Sequence, residues 1–147
     1  MSEESAAGML SAALNTALPK LRALSDEEAG AARGPGKWSR KEVLGHLIDS
    51  AANNHQRFVR APRVERYVGP GYEQEAWVAA QGYRDRPWRD LLALWEALNR
   101  HLVHVLARVP ADRLQTECVI GDNPPATLEW VMKDYTRHLE HHLAQIL

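Results

Sequence analysis

The chain has 147 residues, 45% of them hydrophobic and 25% charged, which is the balance of a single globular domain, residues 1–147, built around one sizeable core. A formal net charge of -1 offers no basic field to a phosphate backbone and excludes nucleic acid as an expected partner, while no apolar run approaches the roughly 20 residues that span a bilayer. One cysteine, Cys118, excludes an internal disulfide, and MSEESAAGML lacks the basic flank and long apolar run of a signal peptide, so a cytoplasmic location is expected.

The first segment, from about Glu4 to Leu24, places Met9, Leu10, Ala13, Leu14, Ala17, Leu18 and Leu21 at three- and four-residue spacings, the apolar face of a helix. Pro19 is expected to bend or end it. The loop GAARGPGKW follows. SRKE then offers a capping box, Ser39 as N-cap and Glu42 three residues on, opening a helix from about Arg40 to Arg60 with the stripe Leu44, Leu47, Ala51, Asn54 and Phe58. The third long helix is predicted to begin near DRPW, with Asp85 as cap and Pro87 in the first turn, and to bury Trp88, Leu91, Trp95, Leu98, Leu102, Val105 and Val109 in heptad alternation. The fourth starts at Thr127 as N-cap and runs to the terminus. Of the remaining sequence, only ECVI around Val119 reads as extended.

Four long amphipathic segments predict an all-α fold, a four-helix bundle. About 25 residues separate the second and third helices, with one short helical candidate from Glu73 to Gln81 among them. Adjacent antiparallel helices are usually joined by roughly two to eight residues. A connection of this length crosses the bundle, so helices two and three run parallel and the order is up, down, down, up.

The last helix carries DYTRHLEHHLAQIL. Its stripe reads Leu128, Val131, Tyr135, His138, His142 and Gln145 or Ile146, which puts His138 and His142 on one face and turns His141 toward solvent. Histidines four apart stand one turn from each other, a spacing that lets both bind one metal ion; two imidazoles bonded to backbone or water are the alternative. A third candidate, His46, stands about six residues into the second helix, roughly 9 Å along its axis. His142 and His138 lie about five and nine residues from the end of the last helix, roughly 8 and 14 Å. Antiparallel packing of these two helices brings all three to one height, which is what the up, down, down, up order provides. Three neutral imidazoles leave a divalent ion with open positions, suited to binding water or a thiol. Asp49, Asp134 and Tyr135 are candidate partners behind the ligands.

The segments WSRKEVLGHLIDSAANNHQRF, WVAAQGY, LWEALNRHL and TLEWVMKDYTRHLEHHLAQI resemble the DinB-like superfamily of metal-binding four-helix bundles over nearly the whole chain. The resemblance implies the up, down, down, up bundle, a metal triad of His46, His138 and His142, a divalent metal ion such as zinc or nickel, and a homodimer. It further implies a metal-dependent thiol S-transferase or hydrolase acting on a small-molecule substrate, with a low-molecular-weight thiol as a further cofactor. The alternative is a non-catalytic metal- or small-ligand-binding stress-response module.

Other polar residues take ordinary expectations. His101 and His104 flank the third stripe as a solvated helix side, His55 lies near the bundle edge, and Cys118 falls in an irregular loop. RFVRAPRVERY, from Arg57 to Tyr67, is the best candidate for holding an anionic cosubstrate at a pocket mouth, against the reading of an ordinary charged surface interrupted by Glu65.

Overall fold

The structure, a computed structural model, describes residues 4–147. Its long helices are α1 (Ala6–Arg22), α3 (Arg40–Arg60), α5 (Trp88–Ala107) and α6 (Leu128–Ile146), with short α2 (Asp26–Gly30) and α4 (Gln74–Gln81) between them. The expected caps hold. Ser39 Oγ accepts the Glu42 amide while Glu42 accepts the Ser39 amide, and Thr127 Oγ1 accepts the Trp130 amide at 3.1 Å. A second capping box, Ser25 with Glu28, starts α2, in the stretch between the first predicted helix and the loop GAARGPGKW, where no element was expected.

Pro19 lies inside α1 without ending it. The hydrogen bond that Pro19 cannot donate would have gone to the carbonyl of Asn15, an exposed residue, so the missing donor falls on the solvent side of the helix, where its loss costs little. The start of α5 corrects the expected cap. Pro87 is extended (φ -59°, ψ 136°), the helix begins after it, and Asp26 rather than Asp85 takes the Trp88 amide, at 2.8 Å. Residues 83–85 instead form a tight turn behind Gly82, whose φ of 60° is the left-handed conformation that ends α4.

Contacts between the helix ends and along their lengths fix the helix directions. Asp26 binds Lys41 at the start of α3 (2.9 Å) and the amide at the start of α5, and His55 meets His101 farther along both, so α3 and α5 are parallel. Trp88 donates to Leu21 at the end of α1, and Arg100 to Asn15 farther back, so α1 opposes α5. Arg40 donates to the Ile146 carbonyl, and Phe58 packs on Tyr135, so α3 opposes α6. The bundle therefore runs up, down, down, up. Leu10, Leu14, Leu44, Leu47, Leu91, Trp95, Leu102, Leu128 and Leu139 are sealed in its core.

The expected heptad stripe of α5 is replaced by a 3.6-residue one. Leu98, Val105 and Val109 are only half-buried; Leu92, Asn99 and Leu106 occupy the core instead, because a straight helix drifts from a seven-residue repeat. Asn99 is admitted because it is satisfied: its amide donates to the Trp95 carbonyl, and its Oδ1 accepts the Tyr135 hydroxyl at 2.5 Å.

The two long connections meet. β1 (Arg66–Gly69), from the α3–α5 crossover, pairs in parallel with β2 (Glu117–Ile120), and β3 (Ala126–Thr127) pairs with β2 antiparallel. Only β2 was expected from the sequence. Arg66 and Glu117 join across the parallel pair at 2.5 Å. The sheet gives the crossover a fixed end and supplies one wall of the cavity described below.

Candidate metal centre

His46 is completely buried at the start of α3, and the antiparallel α6 brings His138 and His142 against it. His138 Nε2 lies 3.4 Å from His46 Nε2 and 3.1 Å from His142 Nε2, and one ligating nitrogen from each of the three falls within 4.8 Å of the others. His141, between them in sequence, is exposed as expected. The stripe of α6 is shifted by about one residue from the predicted one. Its core face runs through Met132, Tyr135, Thr136, Leu139, Leu143 and Ile146, which leaves His138 and His142 half-buried on the flank.

Hydrogen bonding among the rings does not account for this cluster. One Nε2 carries either one proton or one lone pair, so His138 Nε2 makes at most one good hydrogen bond of its two short contacts. A divalent ion would satisfy all three. Nitrogens bound at about 2.0–2.1 Å in tetrahedral directions stand about 3.3–3.4 Å apart, close to the spacings found. The protonation states also fit. Burial, with the neighbouring His142 and His138, lowers the pKa of His46 to about 4; burial likewise lowers those of His138 and His142. His142 Nδ1 lies 3.2 Å from Gln145 Oε1, a contact in which Nδ1 donates and the lone pair is left at Nε2, facing the other rings.

The partners expected behind the ligands lie elsewhere. Asp49 is buried, yet its Oδ1 accepts from the Tyr83 hydroxyl (2.6 Å) and the Gln81 amide (2.8 Å) rather than from a histidine, and burial raises its pKa. Tyr135 turns to Asn99, and Asp134 lies 4.0 Å from Arg137 while favouring the charged form of His138. The groups beside the triad are Gln145, Trp38, whose ring is 5.2 Å from that of His46, and the exposed His141, whose ring is 5.4 Å from that of His142. The three-residue step from His142 to Gln145 was legible in sequence; the approach of Trp38, from the loop before α3, was not.

Gly45 places the Asp49 network. A Cβ there would lie only 2.1–2.4 Å from carbons of the Tyr83 ring, so glycine lets Tyr83 lie on α3 and reach Asp49. His55, His101 and His104 form a separate row of rings on the partly exposed side of α3 and α5.

A cavity of about 700 Å³ opens beside His138, lined by Ser50, Asn54, Arg57 and Tyr72 on one side and by Ile120, Pro125, Trp130 and Val131 on the other. Cys118 belongs to strand β2 rather than to an irregular loop; it is buried at the cavity wall, and burial raises its pKa.

The model of the DinB superfamily matches residues 9–146. A protein of Oceanobacillus iheyensis, named "Putative metal-dependent hydrolase OB0413", is 28% identical over 126 residues, 86% of this chain and 72% of its own. Halalkalibacterium halodurans has a relative with the same description, BH0277, 28% identical over 109 residues, 74% of this chain and 63% of the relative. Among solved structures, YfiT from Bacillus subtilis, described as "a probable metal-dependent hydrolase with an unusual four-helix bundle topology", superposes with a TM-score of 0.82 over 99% of this chain and 89% of that one at 22% identity. The mycothiol-dependent maleylpyruvate isomerase superposes with a TM-score of 0.78 at 14% identity, over 96% of this chain and 59% of the isomerase. These two likenesses establish a shared bundle topology.

Proposed function

The chain belongs to the DinB superfamily, and from that premise we propose that it is a metal-dependent enzyme in which His46, His138 and His142 hold one divalent ion, zinc or nickel, beside a small-molecule pocket. The observation that carries this reading is the convergence of three imidazole nitrogens on one point at the cavity edge, with spacings of 3.1 and 3.4 Å about His138. When bound, such an ion supplies a Lewis acid that lowers the pKa of water or of a thiol, making a nucleophile at neutral pH.

The chain's own residues do the rest. His46 is neutral at ordinary pH, so its lone pair is available without displacing a proton. Gln145 holds His142 in the tautomer that presents Nε2. Ser50, Asn54 and Tyr72 line the cavity with groups that orient a polar substrate, while Trp130 and Val131 cover its apolar part. Water is the first nucleophile of this proposal because the relatives at 28% identity carry the hydrolase description; a low-molecular-weight thiol in the same position turns the reaction into thiol transfer. The test is to strip the protein with a chelator, reload it with zinc, nickel or manganese, and assay ester and amide hydrolysis beside thiol conjugation. Turnover restored by one of these metals, and absent in His46→Ala, is expected. Full metal loading without turnover of either kind would leave a binding module instead of an enzyme.

A further inference from the structure

Four residues of α3, His46, Ser50, Asn54 and Arg57, follow one another at steps of four, four and three and so form one face of the helix. The first belongs to the triad, and the other three line the cavity that begins at His138. Ser50 holds Asn54, and Asn54 holds Arg57. The Asn54 amide donates to the Ser50 carbonyl (2.8 Å) and to Ser50 Oγ (3.3 Å), which turns Asn54 Oδ1 toward Arg57; Arg57 Nη1 donates to it at 3.3 Å, and Nη2 donates to the Pro70 carbonyl at 3.2 Å. The guanidinium is therefore fixed by neutral acceptors. The titratable groups beside it are the phenols Tyr67 and Tyr72, and among the described residues no ion pair joins it to a carboxylate. A half-buried arginine, desolvated and without a counter-ion, at a cavity of ligand size, is an arrangement completed by an anion.

Resting on the metal-site reading above, we propose that the pocket takes a small amphipathic carboxylate: Arg57 binds the carboxylate, Trp130, Val131, Pro125 and Ile120 cover an apolar body, and the reacting end lies at the triad. The dimensions fit. His46 and Arg57 are eleven residues apart, about 16 Å along the helix, and the Arg57 side chain leans back toward the helix N-terminus, shortening the gap by several ångströms. An acid group and a reacting bond separated by an apolar segment bridge such a distance. Asp134, on the same lining, disfavours a polyanion, so a monoanionic carboxylate suits the pocket better than a phosphate.

The test compares 4-phenylbutanoate with its neutral amide, 4-phenylbutanamide, by titration calorimetry on metal-loaded protein. The acid is expected to bind at least tenfold more tightly. Arg57→Gln should bring the two within twofold of each other, Arg57→Lys should keep part of the preference, and Trp130→Ala should weaken both probes alike, with circular dichroism and metal content unchanged in all three. Equal binding of both probes to the wild type would overturn the proposal. So would a preference that survives Arg57→Gln, which would place the acid on the metal instead, or displacement of the acid by inorganic phosphate at comparable concentration, which would mark a phosphate site. Trp130 is half-exposed, so its variant reports on the apolar wall even if a change at Arg57 disturbs folding. Because the readout is probe binding, its failure is distinct from failure of the metal reading, which shows as lost metal in His142→Ala.

Discussion

Replacing Gly45 by alanine tests the packing that supports the site. The new methyl group would lie 2.1–2.4 Å from three carbons of the Tyr83 ring, and Tyr83 is buried, its hydroxyl bonded to the buried Asp49. Overpacking costs about 1–3 kcal/mol. Displacing Tyr83 also takes one donor from a buried carboxylate, a further cost of about 1–3 kcal/mol, while alanine returns up to about 1 kcal/mol of helix propensity. The net loss is about 2–4 kcal/mol, a fall in Tm of about 5–15 °C for a chain of this size. The assay is a double-mutant cycle with Tyr83→Ala followed by denaturant unfolding. With the ring removed, Gly45→Ala should cost nothing and gain as much as about 1 kcal/mol. An equal cost in both backgrounds would refute the account of Gly45 as the seat of Tyr83.

Acid should destabilise the metal-stripped protein early. The folded His46 has a pKa of about 4 against an ordinary 6.5, so the unfolded chain takes up its proton first and stability falls as pH drops from 6.5 toward 4, by roughly 2–3 kcal/mol for this residue; unfolding midpoints flat across that window would contradict the burial of a neutral imidazole. Asp49 has the opposite sign. Its pKa is raised from 3.8, so its ionisation costs the folded state stability as pH rises through the folded value, and Asp49→Asn should gain relative to the wild type over that rise; a pH-independent difference would count against it. Cys118, buried with a raised pKa, should react with iodoacetamide at neutral pH only on unfolding, and rapid labelling of the native protein would show an open strand β2.

Much of this architecture is legible in sequence because it rests on local rules. The caps at Ser39 and Thr127, the apolar repeats and the length of the crossover are short-range signals, and together they give the helix order and bring His46 level with His138 and His142. What escapes them is long-range. β1 and β3 are short segments that become strands by pairing with β2, Asp26 caps a helix sixty-two residues away, and Asn99 enters the core only because Tyr135 supplies its partner. The roles assigned to Asp49 and Tyr135 failed for the same reason: helix position places a side chain on a face, but Tyr83, Gln81 and Asn99, from other elements, decide what it binds.

The central claim is that His46, His138 and His142 form one metal site. Elemental analysis of untagged wild-type protein, His46→Ala, His142→Ala and His141→Ala after incubation with zinc, nickel or manganese tests it most directly. About one ion per chain is expected in the wild type and in His141→Ala, with none in the other two. Equal loss from the His141 and His142 variants, or a wild type that takes up no metal, would contradict the account.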